Sequence, residues 1–213
     1  VLRIPPAVAP LAVPSEAQRG AARALFDVPI SAPLITFPGD LDRGEGAPLA
    51  IESLEALPDL VLAIACRPKT SRAKDAERAL RARAETLGVG ARVRWIGETP
   101  HVLALLGASD VVVLPSRDLG AKVDLPIVLL EAMWQARPII VATRSAAEEL
   151  ADDDAAFAIE PERDAMIATL RALIDDPTAR AAAGARARAA AIARHDPAVM
   201  ARRYESVYDG LLA

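Results

Sequence analysis

A single cysteine in 213 residues excludes an internal disulfide framework. That residue, Cys66, closes an apolar run at 60–66 that reads as a buried strand, so its thiol is expected in the core. No run approaches the ~20 consecutive apolar residues of a membrane span, and no signal peptide is expected before the fold. Positive charge is in short supply as well: 25 Lys and Arg stand against 29 Asp and Glu, giving a net charge of −4 and a pI near 5.3. Gripping a phosphate backbone needs a basic footprint, so nucleic acid is not expected as a partner. The chain is expected in the cytoplasm, with any peripheral membrane attachment belonging to a longer protein.

What is present is apolar material in quantity. Hydrophobic residues make up 53% of the chain and the mean hydropathy is +0.23, enough to fill the core of one globular domain and to exclude disorder. Residues 1–14 differ from the rest. Pro5, Pro6, Pro10 and Pro14 fix φ and remove backbone donors, so this stretch suits an extended interdomain linker, loosely held unless it folds back on the domain. The domain proper is expected over 15–213.

Within it, a cap-like Ser15 opens a short helix to residue 26. Apolar runs of strand length then recur at 34–37, 60–66, 93–96, 111–114 and 139–142, with a weaker one at 155–159. Between them lie alanine-rich stretches of helical length at 47–57, 71–87, 101–108, 126–135 and 145–150. Strands that are apolar throughout belong to a sheet covered on both faces, and β-α alternation implies a parallel, doubly wound sheet of about six strands. From 162 onward the chain reads as helices at 163–174, 178–194 and 197–212, outside the β-α series. Alanine and arginine fill 179–194, which reads as a solvated helix rather than a nucleic-acid arm.

Ligands of such sheets bind at the carboxyl ends of the strands. The loops at 38–46, 67–72, 97–101, 115–126 and 143–146 therefore hold the candidate site. Here the sequence resembles the carboxy-terminal domain of retaining GT-B glycosyltransferases, family 4 in particular. The match begins at Val93-Arg94-Trp95-Ile96-Gly97-Glu98 and continues through Leu103-Ala104-Leu105-Leu106-Gly107-Ala108-Ser109-Asp110-Val111-Val112-Val113-Leu114-Pro115-Ser116. It goes on through Pro126-Ile127-Val128-Leu129-Leu130-Glu131-Ala132-Met133 and Arg137-Pro138-Ile139-Ile140-Val141-Ala142-Thr143.

The resemblance implies a Rossmann-like half of a GT-B fold that binds a nucleoside diphosphate sugar as substrate. The acceptor would be held by an amino-terminal domain absent from this chain, so the isolated domain is expected to be inactive. Glu131 occupies the second glutamate of the family's Glu-x7-Glu motif and would accept hydrogen bonds from the ribose hydroxyls. The plainer reading of Glu131 is a glutamate on a solvated helix face. Gly97 and Ile127 belong to the same implied donor site.

The departures from the pattern are specific. Val123 stands where the family has its first glutamate. Asp124, one position on, either supplies the lost carboxylate or caps the helix that begins near Pro126. Lys122 is either a phosphate or sugar contact or a solvated loop lysine. In the first loop the family's diphosphate-clamping arginine and lysine are replaced by Asp40 and Glu45, of the wrong sign for the task. Gly39, Gly44 and Gly46 still permit a close backbone approach. Arg43, Arg67, Lys69 and Arg72 are nearby cations that could substitute. The acids would otherwise favour a less anionic donor, a bridging metal ion, or no donor at all. Magnesium is admitted beside the diphosphate, no cofactor is expected to be tightly bound, and no catalytic residue is assigned. A non-catalytic binding or scaffold module on the same fold is the alternative; an epimerase or phosphorylase is the weaker third reading.

Overall fold

The central strand segments contain little besides Val, Ile, Leu, Ala and Phe, so both of their faces must be covered, and every residue of these four strands is buried, while the two edge strands are partly exposed. A computed structural model describes residues 3–120 and 125–212. Helix α1 (Glu16–Leu25) leads into β1 (Leu34–Phe37), α2 (Gly46–Ser53), β2 (Val61–Ile64), α3 (Ser71–Thr86), β3 (Val93–Trp95) and α4 (Val102–Ala108). Then come β4 (Val111–Leu114), α5 (Ile127–Trp134), β5 (Ile139–Ala142), β6 (Phe157–Ile159), α6 (Arg163–Ile174), α7 (Pro177–His195) and α8 (Pro197–Leu212). The six strands form one parallel sheet in the order β3-β2-β1-β4-β5-β6, as expected for a doubly wound α/β domain.

Alternation along each strand divides the core between the two faces. Leu34, Val61 and Ala63 pack with Ala22, Phe26, Leu105 and Ala108 beneath α1 and α4. Ile35, Phe37, Leu62 and Ile64 face the larger cluster that includes Leu129, Leu130, Met133, Met166, Leu170 and Ala187. Thr36 is buried on the α1 side, where its hydroxyl bonds to Ser109 Oγ at 2.6 Å. At the amino ends of β1 and β4, Asp110 accepts from the Leu34 amide at 2.8 Å, from Arg23 at 2.8 Å and from Arg19 at 3.0 Å, which ties α1 to the sheet.

Local signals explain most element ends. Ser15 and Gln18 form a reciprocal capping box on α1. Thr70 caps α3, and Asp176 caps α7 with Pro177 in its first turn. The expected helix at 145–150 is instead a 3-10 segment, Ala146–Asp154, broken where Asp153 takes φ of 58°. Its opening bond runs from the Glu148 amide to the Ser145 carbonyl, a three-residue spacing.

Residues 3–14 carry no regular structure, as the prolines require, but they are not loosely held. The Val8 amide donates to the His195 carbonyl at 3.0 Å, and Arg188 donates to the Leu11 carbonyl at 2.9 Å. Val8 and Leu11 pack against the main core. The stretch has apolar residues between its prolines, and α7 gives them a surface to cover.

Candidate functional site

Strand order places the site. β1 connects through α2 toward β2 on one side, and β4 through α5 toward β5 on the other, so the loops after β1 and β4 diverge at the switch point and leave a crevice between them. A cavity of about 140 Å³ opens there, lined by Pro38, Gly39, Arg43, Ser116, Leu119 and Pro126 among others.

The first loop is shaped by its glycines in a way the sequence does not disclose. A Cβ on Gly39 would come within 2.5 Å of Leu114 Cδ1 and 2.7 Å of Phe37 Cζ. One on Gly46 would overlap Ser116 Oγ, and Gly44 takes φ of 60°, the left-handed region. Gly39 and Gly46 thus let the loop after β1 pack against the end of β4. Their closest neighbours are other parts of the chain.

The acids of this loop are met by arginines. Arg43 lies 4.0 Å from Asp40 and 3.6 Å from Asp118. Glu45, immediately before α2, lies 3.6 Å from Arg117, which also pairs with Glu160 just beyond β6. Glu160 receives Arg144 at 2.7 Å and the Thr143 hydroxyl at 2.7 Å. Its carboxyl is held below the usual range, first by the Thr143 hydrogen bond and then by Arg144 and Arg117. Arg117, Asp118, Thr143, Arg144 and Glu160 were not singled out by residue type. The strand-end rule was the signal available, since Arg117 and Thr143 each follow closely on a strand.

The other expected site residues are scattered along the same edge. Arg67 pairs with Glu98 at 2.5 Å, and Arg72 lies 3.9 Å from Asp42, so both cations are engaged. Lys69 is exposed and forms no ion pair among the described residues. Gly97 follows β3 with φ of 69° and open space where a Cβ would project. Cys66 lies beyond the end of β2 and is half-buried, so the expectation of a core strand position is corrected. Burial pushes its thiol up to about 11, with Asp40, Asp42 and Glu77 adding to the rise and a backbone hydrogen bond from Leu41 opposing it. Lys122 and Asp124 lie outside the described residues.

Glu131 stands one turn into α5, half-buried, in a helix otherwise filled by Leu129, Leu130, Ala132, Met133 and Trp134. Burial raises its pKa above the ordinary 4.5, and among the described residues it has no hydrogen-bond or ion-pair partner. Ile127, four positions earlier and therefore on the same face, is 41% exposed. A carboxylate beside an exposed aliphatic surface can take a ligand that offers hydroxyls along one edge and an apolar ring along another.

The family model for glycosyl transferases group 1 matches residues 24–190, which includes every strand of the sheet. The chain belongs to the group 1 glycosyltransferases. Within this family it is 30% identical, over 130 residues, to the D-inositol 3-phosphate glycosyltransferase of Corynebacterium urealyticum, covering 58% of this chain and 30% of that one. Its fold is that of GT-B enzymes. The structure of Anabaena Alr3699/HepE in complex with UDP-glucose superimposes with a TM-score of 0.82 at 20% identity, over 92% of this chain and 54% of that one. The carboxy-terminal domain of the group 1 protein LpcC from Francisella tularensis matches with a TM-score of 0.65 at 19% identity, over 86% of this chain and 95% of that one. This group 1 glycosyltransferase chain thus spans about half of the HepE chain and less than a third of the curated relative.

Proposed function

We propose that the chain is the donor-binding half of a retaining glycosyltransferase, in which residues 15–213 bind a nucleotide sugar and residues 1–14 lead from a domain that holds the acceptor. The observation that carries this reading is Glu131: a half-buried carboxylate with no partner among the described residues, beside Ile127 at the carboxyl edge of a switch-point sheet. Keeping a charge in such surroundings costs free energy that a ligand with hydroxyl donors recovers. The ribose lies at Glu131 and the phosphates face the loops after β1 and β4. The similarity to HepE, solved with UDP-glucose, supports a nucleotide sugar as the ligand. Gly97 and Lys69 line the outer part of the same edge, and magnesium accompanies the diphosphate if the arginines do not suffice. The whole protein works in the cytoplasm, with peripheral membrane contact left to parts outside this chain. Transfer needs the acceptor domain, so the 213-residue chain alone turns over no donor.

One observation favours a non-catalytic binding module instead. The positions of the usual phosphate clamp carry Asp40 and Glu45, and the arginines nearest to them already face these acids. Calorimetry with UDP, GDP and ADP, with and without magnesium, separates the two readings. Binding that weakens at least tenfold in Glu131→Ala supports the donor site. Binding unaffected by that change removes the ribose assignment, and a full-length protein that binds no nucleotide makes the module reading the better one.

A further inference from the structure

We propose that the amino edge of the sheet, opposite the donor edge, carries a second binding site, for one phosphate-type oxyanion held by Arg19, Arg23 and Arg180. It stands apart from the nucleotide-sugar reading and shares no residue with it. Two of the cations are placed by the sequence, because Glu16, Arg19 and Arg23 stand three and four positions apart along α1 and so share a face. The third comes from far along the chain, since Arg180 lies near the start of α7. All three, with Glu16 and Asp110, line one cavity of about 310 Å³ at the amino ends of β1 and β4.

The three guanidiniums converge on one point. Arg19 lies 3.0 Å from Asp110 Oδ1, Arg23 lies 2.8 Å from Oδ2, and Arg180 Nε stands 3.8 Å from Oδ1. Each is anchored through Nη1, which donates to main-chain carbonyls; for Arg180 these are Leu173 and Ile174, at the end of α6. A guanidinium fixed in this way loses little further freedom when it captures an anion.

Asp110 leaves one of them unsatisfied. Its carboxylate already accepts from the Leu34 amide, Arg23 and Arg19, and 3.8 Å is beyond hydrogen-bond reach of Arg180. Among the described residues Nε and Nη2 of Arg180 donate to nothing, although the side chain is only 24% exposed. That edge of a guanidinium presents two parallel N–H groups, which match two oxygens of a phosphate.

Charge selects the same ligand. Three arginines against Asp110 leave an excess of two positive charges in the enclosed part of the cluster, and a phosphate group carries about −1.5 to −2 near neutral pH. Glu16 is exposed and forms no ion pair among the described residues, so it competes from outside without neutralising the cluster. Asp59 and Asp175 line the adjoining depression, which shares Pro33 and Ile174 with this cavity, and they oppose an extended polyanion. The cavity corresponds to roughly ten waters of liquid volume, which admits inorganic phosphate with water or a small phosphomonoester.

Calorimetric titration of the 213-residue chain with inorganic phosphate and with glycerol phosphate, against sodium chloride at matched ionic strength, tests the site. At least one of the two phosphates is expected to bind with a Kd below about 1 mM. The tighter of the two identifies the occupant as the free ion or an organic ester. Arg180→Gln should weaken that binding about 10-fold or more. Arg180→Lys, which keeps the charge beside Asp110 but lacks the paired donors, should weaken it about 3- to 10-fold. Glu16→Gln, an exposed change, should tighten it about 2- to 3-fold by removing the competing carboxylate. Heats that chloride reproduces, or a phosphate affinity unchanged in both Arg180 variants, overturn the site and leave the donor edge untouched.

Discussion

Nδ1 of His195, at the last residue of α7, lies 2.9 Å from the carbonyl oxygen of Pro6, 189 positions earlier in the chain. A carbonyl only accepts, so this nitrogen carries the proton in the neutral ring. Burial lowers the pKa of the imidazole, Arg194 and Arg203 push it the same way, and the Pro6 hydrogen bond opposes them. Arg3, Glu149 and Asp152 line the adjoining cavity. The folded ring therefore protonates at a lower pH than the unfolded one, whose value is about 6.5. Stability from this group is fully present above that pH and is lost as pH falls through the depressed folded value. The melting temperatures of the parent and of His195→Gln should accordingly converge between about pH 7.5 and about pH 5. A gap that stays constant or widens would contradict the linkage.

Glu131 shows the opposite sign. Its folded pKa is raised above the ordinary 4.5 by burial, so the folded protein takes up a proton before the unfolded chain does. The free domain is then penalised at neutral pH, and the penalty fades as pH falls through the raised value. Glu131→Gln should unfold at a higher temperature than the parent near neutrality, with the difference shrinking as pH falls through the raised folded value toward the ordinary 4.5. A variant less stable at neutral pH would mean that the carboxylate has a partner in the free protein.

Asp110 should be among the costliest positions to truncate. Removing its carboxylate leaves Arg23, with a side chain only 5% exposed, as an unpaired buried charge, and frees Arg19 and the Leu34 amide as well. Asp110→Ala is expected to lose about 3–5 kcal/mol in urea unfolding, the usual cost of breaking a buried pair from one side. A loss below about 1 kcal/mol would show that water replaces the carboxylate without difficulty.

Two helical glycines should answer alanine oppositely. A Cβ on Gly184 in α7 would overlap the carbonyl oxygen of Ala136, which is backbone and cannot swing away. Gly210 in α8 has nothing within 4 Å of that position. Gly184→Ala is expected to cost about 1–3 kcal/mol by overpacking. Gly210→Ala should gain up to about 1 kcal/mol through helix propensity. Denaturant midpoints of the two variants provide the comparison, and a shift of like sign in both would refute the packing account.

The limits of β1, β4 and β5 follow from sequence because each is an apolar run, broken only by Thr36 in β1, between polar or proline-containing turns, a pattern that survives without knowledge of the partner strand. The caps at Ser15 and Asp176 are equally local. Glu131 is legible too, since one carboxylate in an apolar helix stands out, and the edge that holds it follows from β-α order. Other features depend on which strands become neighbours. That Ser116 lies against Gly46, that Arg117 faces both Glu45 and Glu160, and that Gly39 and Gly46 yield space to the chain itself are consequences of β1 and β4 pairing at the switch point. The path of residues 3–14 along α7 is of the same kind: proline ruled out regular structure there, while the surface that Val8 and Leu11 cover exists only once α7 has packed. Local chemistry therefore determined the elements and the edge at which they act. Contacts between residues far apart in the chain, which no periodicity encodes, decided what each side chain at that edge is left free to do.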